Sequence, residues 1–82
     1  MESLPPLSKE ARSFKKGIYE HFKGMRYQVL DIARHSETLE EYVVYKQLYG
    51  AGDTWIRPLK MFIETVSISG KEIPRFRFIS EK

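Results

Sequence analysis

Glu41-Tyr42-Val43-Val44-Tyr45-Lys46-Gln47-Leu48-Tyr49 runs into Gly50-Ala51-Gly52-Asp53 and returns as Trp55-Ile56-Arg57-Pro58. Thr38-Leu39-Glu40-Glu41 could open a helix here. The valines and tyrosines favour a strand instead, because branched and aromatic side chains pack well on a pleated surface and lose rotamer freedom in a helix. Side chains alternate along a strand, which puts Tyr42, Val44 and Leu48 on one face and Val43, Tyr45 and Tyr49 on the other. The glycines supply a hairpin loop. Pro58 stops the returning strand and starts a single helical turn through Met61 or Phe62.

On the N-terminal side, Ile18-Tyr19-Glu20-His21-Phe22 is rich in strand formers and ends at Lys23-Gly24. In Arg26 to Arg34, Tyr27 and Val29 share one face, while Leu30 and Ile32 take the other. That change of phase predicts a bulge near Val29-Leu30. On the C-terminal side, Val66 and Ile68 lead to a two-residue turn at Gly70-Lys71. Ile73 to Ile79 alternates again, and Pro74 within it points to a sheet edge. Residues 1–15 differ in character: Pro5 and Pro6 interrupt regular structure, and Ser8 can cap a short helix carrying Leu7, Ala11 and Phe14 on one face. The expected fold is mainly β, a small SH3-like barrel of five to six short strands with one short helical turn. A five-stranded OB-type barrel is the alternative, disfavoured because it wants a longer chain and a substantial helix. Residues 1–15 form an extension, partly ordered or a short helix, and residues 16–82 a single barrel domain.

The chain of 82 residues holds eleven aromatic rings (five Phe, five Tyr, one Trp), more than one small core can hide. Phe76, Phe78, Phe62, Tyr27 and Phe22 are assigned to the interior. The net charge of +3 falls to +2 from Lys16 onward, with eleven Lys/Arg against nine Asp/Glu, a weaker basic balance than a dedicated DNA binder shows. With no cysteine, disulfides, thiolate metal sites and a cysteine nucleophile are excluded. No apolar run reaches the ~18–20 residues that span a bilayer, and no signal-peptide pattern opens the chain, so a cytoplasmic protein without membrane contact is expected.

His21 and His35 lack the spacing of a metal motif, and no metal or cofactor is expected. His35-Ser36-Glu37-Thr38 contains acid–base ingredients, but adjacent placement suits turn capping better than a triad, whose members converge from separate segments. Trp55 and Arg57, two apart on a strand, project to one face, where the guanidinium could stack on the indole and hold an anion, or pair with Glu37, Glu41 or Glu64. Tyr19, Tyr27, Tyr45 and Tyr49, with Lys23, Arg26, Arg34 and Lys46 nearby in sequence, could offer rings and charge to a strand of nucleic acid or a peptide.

The stretch from Gly17 to Phe78 resembles the small bacterial family catalogued as domain of unknown function 1653. The resemblance is carried by His21-Phe22-Lys23-Gly24, Tyr27, Val29, Ala33-Arg34-His35-Ser36-Glu37-Thr38, Val43-Val44-Tyr45, Leu48-Tyr49-Gly50, Trp55, Arg57-Pro58 and Met61-Phe62. It implies an SH3-like barrel and transfers no activity, cofactor or catalytic residue. Function is therefore read from the residues: a non-enzymatic binding module with a surface of Tyr19, His21, Tyr45, Tyr49, Trp55 and Arg57. Its partner would be a peptide, a small anionic ligand or single-stranded nucleic acid. The alternatives are a small enzyme or enzyme accessory subunit with His35, Glu37 and Arg57 in one pocket, and a protein–protein assembly module.

Overall fold

The computed structural model describes residues 4–82. Helix α1 (Lys9–Ser13) precedes strands β1 (Gly17–His21), β2 (Arg26–Arg34), β3 (Glu41–Gln47) and β4 (Thr54–Pro58). Helix α2 (Leu59–Phe62) then leads to β5 (Thr65–Ile68), β6 (Lys71–Pro74) and β7 (Phe76–Ser80). The fold is mainly β, as expected. An antiparallel meander of β1 to β4 is joined by β7, which pairs with β1 to give the order β4-β3-β2-β1-β7; β5 and β6 form a separate hairpin. The sheet is open and ends on β4 and β7.

The extra strand beyond the expected five or six comes from a split. Ile73 to Ile79 breaks at Arg75, so that β6 pairs with β5 while β7 pairs with β1. Pro74, which has no N–H to give a ladder, is the last residue of β6. The β5–β6 turn lies one residue earlier than expected, at Ser69-Gly70, and both residues have positive φ (51° and 78°), the signature of a type I′ turn. The predicted bulge in β2 is present: pairing with β3 jumps from Val29↔Tyr45 to Asp31↔Val44, leaving Leu30 unpaired. The jump returns Ile32 to the face of Val43, so both halves of a nine-residue strand contribute to one interior.

That interior is aromatic. Phe62 is stacked on Phe76 (ring centroids 4.0 Å) and meets Phe14, Tyr19 and Tyr45 edge-on at 5.3–5.5 Å. Of the rings assigned to the core, Tyr27, Phe62 and Phe76 are buried, whereas Phe22 and Phe78 are only half-buried. Helix α1 packs on the same cluster through buried Ala11, and Phe14 stacks on Tyr19 at 5.4 Å. Ser8 caps α1 through its Oγ, which accepts from Ala11 N–H, and both its N–H and its hydroxyl donate to the Glu41 carboxylate on β3. No helix among the described residues is long and apolar enough to cross a membrane.

Candidate functional site

Strands β3 and β4 place Val43, Tyr45 and Gln47 of the one and Trp55 and Arg57 of the other on the same face, in the register Val43↔Arg57 and Tyr45↔Trp55. Arg57 is half-buried there, its Cζ 5.6 Å from the centroid of Phe76 and its Nε donating a long hydrogen bond (3.4 Å) to the Tyr45 hydroxyl. Neighbouring hydroxyls meet as well: Tyr27 and Tyr49 share a hydrogen bond of 2.7 Å. The Trp55 indole N–H donates to Gln47 Oε1 (2.6 Å), and the Gln47 amide donates in turn to the Tyr49 carbonyl. A continuous chain of contacts thus runs from Trp55 through Gln47, Tyr49, Tyr27 and Tyr45 to Arg57 and Phe76. Among the described residues the ion pairs are Lys16–Asp31, Arg26–Glu20, Arg75–Glu64 and Arg77–Glu20, and none of them includes Arg57.

Nearby positive charge and burial show in the titratable groups of this face. His21, packed on Phe22 and Phe76, is held below the usual imidazole range by burial and then by the positive charges of Arg75, Arg57 and Lys23. Burial, together with the Tyr49 hydroxyl, pushes Tyr27 up to about 12, so its hydroxyl stays protonated. A depression of about 280 Å³ lined by Glu20, His21, Phe22, Ile73, Pro74 and Arg77 adjoins His21.

The structure separates the expected site residues into groups. Tyr49 (44% exposed) and Trp55 (51%) are at the surface, with Arg57 beside them and His21 half-buried. Tyr19 and Tyr45 are each only 6% exposed, which corrects their placement as surface stacking rings. Tyr19 belongs to the core, its hydroxyl donating to the Lys15 carbonyl at 2.7 Å and its pKa pushed up to about 12 by burial. Tyr45 presents only its hydroxyl, to Arg57. The expected stack of Arg57 on Trp55 is replaced by the contact with Phe76. None of the three expected acids takes Arg57: Glu41 holds Ser8, Glu64 holds Arg75, and Glu37 is exposed in the β2–β3 connection.

His35 and Glu37 do not join this site. His35 Nδ1 accepts from the N–H groups of Glu37 (3.0 Å) and Thr38 (3.3 Å), and its ring lies 6.3 Å from Tyr42, on the face opposite Val43 and Tyr45. Both histidines thus accept turn hydrogen bonds, for His21 Nδ1 does the same for Lys23 N–H. Arg26 pairs with Glu20, Arg34 donates to the Pro5 carbonyl, and Lys23 lies over Phe22, so those cations do not line the Trp55 face. Gln47 was missed by sequence reasoning. Its signal was parity, as the polar member of the inward series Val43, Tyr45, Gln47.

No curated protein matches the chain. A crystal structure of a DUF1653 protein from Bordetella bronchiseptica is similar over 88% of this chain and 95% of that one, at 35% identity and a TM-score of 0.80. Residues 17–78 match the family described as "Protein of unknown function (DUF1653)". That span begins with β1 and ends inside β7, and the chain belongs to the DUF1653 family.

Proposed function

We propose that this protein is a non-enzymatic binding module whose face of Tyr49, Trp55 and Arg57, edged by His21, receives the carboxylate or phosphate of an anionic ligand. The observation that carries this reading is Arg57: a half-buried guanidinium with no carboxylate partner among the described residues. Among the described residues only its Nε is used, and no buried side-chain nitrogen there is left unsatisfied, so its terminal nitrogens reach solvent. A planar donor pair backed by an aromatic ring suits a bidentate oxyanion. Trp55 and Tyr49 then offer ring surface to the apolar part of the ligand. A small anion or an acidic peptide suits this single cation better than an extended nucleic-acid strand, which draws on many phosphate contacts. We also assign the open sheet to an SH3-like arrangement, since its last strand pairs with its first and a helical turn follows β4, and we place the protein in the cytoplasm.

The test is a titration of isotope-labelled protein with inorganic phosphate, a short acidic peptide and a single-stranded oligonucleotide, following backbone amides and the lone indole signal. Phosphate and the peptide should move Trp55, Arg57 and Tyr49, and Arg57→Gln should abolish those shifts. A response confined to residues 4–16, or one that Arg57→Gln leaves intact, overturns the proposal.

A further inference from the structure

Strand β4 is an edge of the five-stranded sheet. The Gln47 N–H donates to the Asp53 carbonyl at 3.0 Å, which sets the phase of the β3–β4 ladder. In an antiparallel pair hydrogen-bonded positions alternate, so Trp55 and Arg57 direct their backbone groups at Tyr45 and Val43. The N–H and C=O groups of Thr54 and Ile56 therefore point away from the sheet. Among the described residues no strand or turn pairs with them. Thr54, Trp55 and Ile56 are all exposed, Ile56 at 63%.

We propose that a second copy of this chain docks on this edge, β4 against β4, about a two-fold axis at Trp55. The sequence Asp53-Thr54-Trp55-Ile56-Arg57 is self-complementary when read antiparallel to itself. Thr54 and Ile56 exchange backbone bonds with the partner's Ile56 and Thr54, which uses every outward group of both residues. Trp55 meets the partner's Trp55 at a non-hydrogen-bonded position, where cross-strand side chains approach most closely. Arg57 lies opposite the partner's Asp53, and Asp53 opposite the partner's Arg57. Neither residue has an ion-pair partner within its own chain among the described residues, and this register supplies both at once. Pro58, which has no N–H, falls just beyond the last pair. Moving the two-fold axis by one residue, to Ile56, sets Arg57 against the partner's Trp55 and Asp53 against the partner's Leu59, which leaves both charges unmatched. A closed two-fold contact of this kind is the commonest form of assembly. The inference does not depend on anion binding, although both use Arg57.

Sedimentation velocity over a range of concentrations, with Trp55 fluorescence as a second readout, tests it. The wild-type chain should associate reversibly to a dimer. Asp53→Arg and Arg57→Asp should each weaken self-association by about tenfold or more, because every favourable pair becomes a like-charge pair. An equimolar mixture of the two variants should form a heterodimer, since each chain then offers two like charges and meets two opposite ones. Amide spectra of the isolated variants verify their folds. A wild-type chain that stays monomeric through the millimolar range, a dimer that neither variant weakens, or variants that fail to associate on mixing would overturn the inference. Asp53→Arg retains Arg57, so loss of its dimer with retention of its phosphate response separates this inference from the proposed binding function.

Discussion

Glu41→Gln should loosen the N-terminal arm on the sheet without disturbing the strands. The Glu41 carboxylate accepts from Ser8 N–H at 2.7 Å and from Ser8 Oγ–H at 2.6 Å, and these bonds hold its pKa below the ordinary 4.5. A hydrogen bond to a charged acceptor contributes about 1.5–3 kcal/mol when well shielded. Glu41 lies at the wall of an open cleft, so water competes and the lower end of that range applies to the pair as a whole. Glutamine keeps the shape and one acceptor, leaving a loss of about 1 kcal/mol, or roughly 4–8 °C in Tm for a domain of this size. Buried Ala11 and the stack of Phe14 on Tyr19 should keep α1 partly docked. Urea melts followed by circular dichroism at pH 7 measure the difference. Its pH dependence has a definite sign. A carboxyl with a lowered folded pKa contributes stability above its unfolded value near 4.5 and loses that contribution as pH falls through the folded value. The wild type should therefore converge on Glu41→Gln as acid is added below pH ~4.5. A Ser8→Ala, Glu41→Gln double-mutant cycle should show coupling between the two positions. Equal stabilities at pH 7, or a gap undiminished at pH ~3, would refute the account.

Phe62→Ala should cost about 3–5 kcal/mol in urea melts, because it empties the centre of a cluster of four neighbouring rings. That is a large share of the roughly 4–12 kcal/mol available to a chain of this length, so the variant should be largely unfolded on warming. Gly17→Ala should cost about 2–4 kcal/mol by the same measurement, since φ is +144° and a new Cβ would strike the Ser80 carbonyl across the β1–β7 pairing. Leu39→Asn should raise stability by about 0.5–1 kcal/mol in thermal melts, because Leu39 has φ 62°, a left-handed conformation that asparagine adopts more readily.

The phase change between Tyr27-Val29 and Leu30-Ile32 announced the bulge because one interior must be served by both halves of β2. Pro74 likewise marked a real discontinuity, yet alternation continued across it, and only pairing with two different strands separates β6 from β7. The placement of Tyr19 failed for another reason. A tyrosine beside charged residues reads equally as surface or core, and the outcome depends on Phe14, Phe62 and Phe78 arriving around it. Arg57 shows the same limit. Its strand and face were legible from spacing, but its contact with Phe76 joins positions nineteen apart and arises only when β7 closes on β1. The Ser8 cap was legible locally, while its second role, the bond to Glu41, spans 33 positions and carries no sequence signal.

Arg57 unites the two proposals, and the union has a measurable consequence. A guanidinium partly removed from water is stabilised by an anion, and here the anion comes either from a ligand or from the partner's Asp53. The two cannot occupy the same nitrogens together, so ligand binding and self-association compete. Raising the protein concentration should then weaken the apparent affinity of the wild-type chain for phosphate, in proportion to the fraction dimerised. Asp53→Asn removes the internal competitor and leaves Arg57 in place, so its affinity should equal that of dilute wild type at every concentration. Conversely, saturating phosphate should shift wild-type sedimentation toward monomer, because the coupling is reciprocal. If phosphate binds Arg57 and the dimer persists unchanged, the guanidinium does not bridge the two copies, and the charge-paired register about Trp55 must be abandoned.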